Sequence, residues 1–264
     1  MCRERSGTLI HPQALIDKNA KIADNVHIGP FSVIGPDVEI EEGTRIGPHV
    51  VINGPTKIGR DNKIYQFASL GEEPQDKKYA GEPTRLEIGD RNVIREFCTI
   101  SRGTIQDIGY TKIGDDNWIM AYVHIAHDCV IGNHTIFVNS ASLAGHVIVE
   151  DFVILGGFTL IHQFCKIGAH SFTSMNSCIS KDVPPYIRVS GHMAKPYGLN
   201  SEGLKRHQFS KETINNLRKA YKILYRSGLT VEKSIKEMSS LAANCEEVNQ
   251  FMQFLTESSR GIIR

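Results

Sequence analysis

The amino-acid sequence predicts a mainly β fold: a parallel β-helix of hexapeptide repeats followed by a C-terminal α-helical domain. Three observations carry this expectation. Aliphatic residues recur at every sixth position over most of the first 180 residues, glycine often follows them, and the period changes to a helical one beyond about residue 190.

The first run of aliphatic positions is unbroken, from Ile10, Ile16 and Ile22 through Ile58, Ile64 and Leu70. A period of six fits neither a helix at 3.6 nor an alternating strand at 2. It fits short strands separated by turns, each strand pointing one aliphatic side chain into a shared interior. The segment 72–87, "EEPQDKKYAGEPTRLE", interrupts the pattern, which returns in phase at Ile88, Ile94 and Ile100. This segment reads as a loop thrown out from an intact helix, and loops of that length in a regular scaffold usually carry function or are disordered. The phase slips by one residue across "SRGTIQDIGYT" and resumes at Ile113, Ile119, Ile125 and Ile131. It then runs through Phe137, Leu143, Val149, Leu155, Ile161 and Ile167, misses at Thr173 and returns at Ile179. Residues 1–192 therefore form the β-helix and 193–264 the helical cap. Ser210 is a suitable N-cap for a helix whose apolar stripe is Ile214, Leu217, Tyr221 and Leu224, closed by Gly228. Two further helices are expected over about 230–242 and 245–258.

Thirty basic and 29 acidic residues nearly cancel, so net charge gives no argument for nucleic acid. Residues 181–226 hold ten Lys and Arg against Asp182, Glu202 and Glu212, a basic field suited to a phosphorylated ligand or an acidic partner, or equally to a solvated helical face. No apolar run approaches membrane-spanning length, "MCRERSGTLIHP" lacks the apolar core of an export signal, and the six cysteines form no C-x-x-C pair. These features lead us to expect a reducing, cytoplasmic setting without stable membrane insertion.

Six of the eleven histidines fall between His124 and His170. The stretch "VHIAHDCVIG" keeps Ile125 and Ile131 in register while crowding His124, His127 and Asp128 around them. On residue type alone it fits a solvated edge, a metal site, or a catalytic base with its helper.

The hexapeptide array, "GEEPQDKKYAGEPTRLEIGDRN", "HIAHDC", "LAGH", "HQF", "DVPPY" and "NSEGLKR" occur in this order. Together they resemble the UDP-N-acetylglucosamine O-acyltransferase family, which begins lipid A synthesis, over nearly the whole chain. The resemblance implies a left-handed β-helix with 18 residues per coil and a homotrimer with active sites between subunits. It implies transfer of a 3-hydroxyacyl group from acyl carrier protein to the glucosamine 3-hydroxyl of UDP-N-acetylglucosamine, with no metal or organic cofactor.

Given such coils, positions 127, 145 and 163 stack, which sets His127, Gly145 and Gln163 beside His124, His146 and His162. A sugar hydroxyl is almost unionised at neutral pH, so a base must take its proton as it attacks a thioester. The resemblance makes His127 that base and Asp128 its orienting partner. Adjacency alone does not establish the Asp128 contact, because neighbours on a strand point to opposite faces. Gly145 is the candidate backbone donor to the oxyanion, with a simple turn glycine as the plainer alternative. His124, His146, His162 and Gln163 are assigned to substrate binding. The resemblance further assigns nucleotide-sugar contacts to Asp76 and Lys78, with Gln75 beside them. It places Asn200, Glu202 and Arg206 on the uridine diphosphate from a neighbouring subunit.

Two positions depart from the family pattern. Ser101 stands where a histidine is frequent, and His207 where a second arginine is frequent. Met175 aligns with the position that limits acyl-chain length, which implies a shorter chain of around ten carbons; the plainer reading is a core methionine. Two other functional classes compete: a zinc-dependent β-helix enzyme of the γ-type carbonic anhydrase kind, and a non-catalytic β-helix binding module. The loop and the cap have no place in the former.

Overall fold

The computed structural model describes residues 9–264, so the first eight residues of the expected β-helix, Cys2 among them, lie outside the described residues. The chain is a left-handed parallel β-helix capped by α-helices. Its short strands form three sheets of eleven, nine and eight strands, one on each side of a triangular coil. Each aliphatic position pairs with its equivalent one coil on, as Ile10 with Ile28, Ile16 with Ile34 and Ile125 with Leu143. From Ile28 onward the six-residue period becomes an interior ladder of side chains that are almost completely buried, while Ile10 at the open end of the coil stack is exposed. Each isoleucine so buried contributes about 1.5–3 kcal/mol relative to exposure. At the one apolar miss, Thr173 is buried without penalty. Its hydroxyl lies 2.7 Å from that of Thr159 and accepts the Gly156 N–H at 2.9 Å.

Most corners of the coils turn through one residue at positive φ, a conformation uncommon outside glycine. Many of these residues are aromatic and stack on the equivalent residue of the next coil. Phe31, His49, Phe67, Phe97 and Tyr122 run along one edge at centroid spacings of 4.9–5.3 Å.

The two interruptions of the repeat are two loops on neighbouring coils. Where coils normally repeat after 18 residues, Ile58 pairs with Ile88 and Ile88 with Ile113. The one-residue slip seen in the sequence is therefore a second, shorter excursion. Strand structure extends to Glu72 before the first loop and resumes at Arg85.

At the far end, an antiparallel hairpin that the repeat pattern did not foreshadow, Ile187–Ser190 with Lys195–Leu199, closes the eleven-stranded sheet. Then follow α1 (Ser201–Arg206), α2 (Lys211–Arg226), α3 (Val231–Ala242) and α4 (Glu246–Glu257). Ser210 and Thr230 cap α2 and α3 by accepting the N–H of Thr213 and Lys233. The short α1 had no apolar period by which to be recognised. The chain end returns to the β-helix: the buried Asp182 carboxylate accepts the Ser258 hydroxyl at 2.6 Å, and the Asp182 N–H donates to the Gly261 carbonyl at 3.0 Å.

Candidate active site

The strand His124–Ile125 runs into a corner formed by Ala126, His127 and Asp128. Ile125 and Ile131 are buried and fix the backbone on either side. Asp128 is the corner residue at φ 56°. Because 127 and 128 occupy a turn and not a strand, their side chains need not diverge. The left-handed step brings the Asp128 carboxylate to 2.8 Å from His127 Nδ1. Asp128 also accepts the Thr104 N–H at 3.0 and 3.1 Å and the Thr104 hydroxyl at 2.6 Å. Burial alone would raise its pKa, yet the bonds from His127 and Thr104 outweigh burial and hold the carboxyl below its ordinary range. Asp128 is thus a fixed anion that accepts from Nδ1–H, which leaves Nε2 of His127 as the basic nitrogen.

The next two coils place Gly145 with His146, and Gln163 with Phe164, on the same corner. A Cβ at 145 would lie 2.6 Å from Cε1 and 2.8 Å from Nε2 of His127, so glycine is what lets the imidazole rest there. Among the described residues, the Gly145 N–H meets no acceptor, whereas at a different corner the N–H groups of Asp115 and Asn133 are capped by side chains from the next coil. His146 stands edge-on to His127 at 5.0 Å, stacks on Phe164 at 4.3 Å, and holds Asp107 at 2.6 Å through Nδ1. These residues open onto a surface cleft of about 720 Å³, whose opposite side is Gln75, Asp76, Lys77 and Lys78 from the long excursion and Gln106 from the short one.

His124 lies beside the corner, its Nδ1 2.7 Å from the Thr99 hydroxyl, and burial followed by the proximity of His127 lowers its pKa. His162 is exposed, and its Nδ1 faces the Arg260 guanidinium at 3.1 Å. Asn200, Glu202 and Arg206 are not brought to this cleft by their own chain. Asn200 caps α1 and donates to the His170 carbonyl at 3.0 Å, Glu202 pairs with Lys205 at 2.8 Å, and Arg206 is exposed. Met175 is 78% exposed, so it is not a core methionine. Sequence reasoning missed Thr104, Gln106, Asp107 and Phe164. The signal for the first three was the phase slip at "SRGTIQDIGYT".

His127, Asp128 and His146 are the described residues whose donor atoms come near enough to suggest a metal. Their geometry fits a hydrogen-bond relay better. Donors on a tetrahedral zinc stand about 3.3 Å apart, whereas His127 Nδ1 and Asp128 Oδ2 are 2.8 Å apart, and His146 Nδ1 and the Asp128 carboxylate are already engaged by Asp107 and Thr104. Nor is a thiolate nucleophile at hand. Burial pushes Cys129, adjacent to the site, up to about 12 and Cys98 up to about 11.

A hexapeptide β-helix with a carboxylate-held imidazole in a surface cleft defines a hexapeptide-repeat transferase. The bacterial transferase hexapeptide model matches residues 19–54 and 110–145, and the Udp N-acetylglucosamine O-acyltransferase domain 2 model matches residues 182–263. The acyl-[acyl-carrier-protein]–UDP-N-acetylglucosamine O-acyltransferase of Thiobacillus denitrificans is 60% identical over 97% of this chain and 99% of its own. That of Stutzerimonas stutzeri is 58% identical over 97% and 100%. Among solved structures, LpxA from Acinetobacter baumannii superposes with a TM-score of 0.95 at 49% identity, covering 97% of this chain and all of that one. The chain belongs to the UDP-N-acetylglucosamine O-acyltransferase family.

Proposed function

We propose that the protein performs its family's reaction, the opening step of lipid A synthesis, as follows. His127 Nε2 takes the proton from the 3-hydroxyl of the glucosamine ring as that oxygen attacks the thioester carbonyl of a 3-hydroxyacyl group on acyl carrier protein. The carbon–sulfur bond then breaks, and the imidazolium returns its proton to the departing thiolate. Asp128, held by Thr104, keeps Nδ1 protonated and offsets the charge that His127 gains. The Gly145 N–H serves the oxyanion. The observation that carries this reading is the buried Thr104–Asp128–His127 relay opening onto a cleft faced by Asp76 and Lys78.

The remaining assignments require a second copy. Asn200, Glu202 and Arg206, set apart from the cleft in their own chain, would meet the uridine diphosphate held by a neighbour in a homotrimer. His124, His146, His162 and Gln163 would line the substrate path. The exposed Met175 would stop an acyl chain lying in the groove between copies. A cytoplasmic setting agrees with carrier-protein and nucleotide substrates, and no helix among the described residues is long and apolar enough to cross a membrane.

The test is acyl transfer to UDP-N-acetylglucosamine from a panel of 3-hydroxyacyl carrier proteins, with wild type against His127→Ala. Loss of about 10²–10⁴-fold in kcat is expected. Equal rates would remove His127 as the base, and stoichiometric zinc whose removal abolishes turnover would overturn the metal-independent mechanism.

A further inference from the structure

The long excursion supplies one wall of the cleft through Gln75, Asp76, Lys77 and Lys78, yet its tip makes no sheet ladder. Where those side chains sit depends on how the neck of the loop is held. Residues 102 and 103, which follow the strand Thr99–Ser101, hold both ends of it. The Arg102 N–H donates to the Glu72 carbonyl at 3.1 Å and the Gly103 N–H to the Arg85 carbonyl at 3.2 Å.

The Arg102 side chain, only 11% exposed, completes the attachment. Nη1 donates to the carbonyls of Gly54 and Gly71, each at 3.1 Å. Nη2 and Nε converge on the Tyr79 hydroxyl at 2.8 and 3.2 Å, and the guanidinium lies 5.6 Å from the centre of the Tyr79 ring. That hydroxyl in turn donates to the Glu82 carbonyl at 2.9 Å, across the base of the loop. One planar fork therefore ties two coils of the β-helix to a residue immediately after Lys77 and Lys78. Lysine, with a single ammonium, does not reach both carbonyls and the hydroxyl in this geometry.

We infer that Arg102, acting through Tyr79, is a positioning residue for the nucleotide sugar: it holds the 72–87 excursion where Asp76 and Lys78 face His127. The inference rests on the reading of the cleft as the UDP-N-acetylglucosamine site. Arg102 touches neither substrate nor His127 in this arrangement, so its effect falls on binding more than on the chemical step.

The experiment compares full-length wild type, Arg102→Lys and Tyr79→Phe. Tyr79→Phe keeps both carbonyl bonds of Arg102 and its 3.4 Å contact with Glu73, and removes the hydroxyl that links Arg102 to the Glu82 carbonyl, so it remains informative if Arg102→Lys folds poorly. Two readouts are taken: the rate of native-state tryptic cleavage after Lys77 or Lys78, followed by mass spectrometry, and steady-state kinetics for both substrates. Both variants should be cut several-fold faster. They should show a KM for UDP-N-acetylglucosamine raised about tenfold, the size expected for one lost charge-assisted bond. The kcat and the KM for the acyl carrier protein should stay within about twofold. Unchanged cleavage in both variants overturns the clamp. Faster cleavage with an unchanged KM overturns the positioning role. If the wild type does not turn over UDP-N-acetylglucosamine, the functional reading fails instead, and the cleavage result still decides whether Arg102 holds the loop.

Discussion

Replacing Gly145 by alanine adds one methyl group at a position where the backbone tolerates it, since Gly145 is not among the residues at positive φ. The methyl group has nowhere to go. Its carbon would stand 2.6 Å from Cε1, 2.8 Å from Nε2 and 3.1 Å from Nδ1 of His127. Ordinary carbon contacts lie at about 3.5–4.0 Å, so the imidazole must withdraw by about 1 Å. Asp128 cannot follow, because Thr104 holds its carboxylate by three contacts in a buried pocket. A displacement of that size between base and substrate costs about 10²-fold in rate. Gly145→Ala should therefore lower kcat by about 10²-fold while leaving the melting temperature within a few degrees of wild type. Single-turnover acyl transfer and a thermal melt on the same preparation measure both. A folded Gly145→Ala protein with kcat within threefold of wild type would refute both the crowding argument and the placement of His127 as base.

Thr104→Val removes the 2.6 Å hydroxyl bond to Asp128 but keeps the backbone N–H contacts; kcat should fall about tenfold, the effect of one neutral-to-charged hydrogen bond, and an unchanged kcat would separate Asp128 from catalysis. Met175→Gly should lengthen the preferred acyl chain in competition between carrier proteins, and an unchanged preference would remove Met175 as the chain stop. His170, lowered from 6.5 to about 4 by burial first and then by His207, gives a pH-dependent stability. Between those values the unfolded chain binds the extra proton, so stability is full above pH 6.5 and falls as pH drops toward 4. His170→Phe, which preserves the stack on Phe152, should flatten the dependence of melting temperature on pH over that window by about 2–4 °C; an unaltered slope would show that His170 does not set it.

The β-helix was legible because its physics is one-dimensional. Each coil repeats one requirement, an aliphatic side chain in a narrow interior, and the sequence states it at a spacing of six from Ile10 to Ile179, broken by the two excursions and the miss at Thr173. Helix α2 was legible through its Ser210 N-cap and its apolar stripe, and α3 and α4 fall close to the expected stretches 230–242 and 245–258, although α4 has no side-chain cap. The hairpin at 187–199 and α1 were not legible, since strands of four and five residues and a six-residue helix carry too few positions to display a period.

The site was legible in part for a different reason. Stacking follows from the coil length, so His127, Gly145 and Gln163 fall in line once 18 residues per coil are granted. What the sequence could not convey is the backbone conformation at one residue. Asp128 reaches His127 only because it occupies a left-handed corner, and the rule that strand neighbours diverge does not apply there. The same holds for the second excursion, whose seven extra residues register in the sequence as a slip of a single position. That slip conceals Arg102, Thr104 and Asp107, which respectively hold the 72–87 loop, the acid of the proposed relay and the facing histidine. In a strictly periodic fold the repeat supplies the rigid frame, and each departure from its phase marks backbone that has been freed from the ladder to hold a side chain in place. The smaller departure carries as much of the site as the larger one.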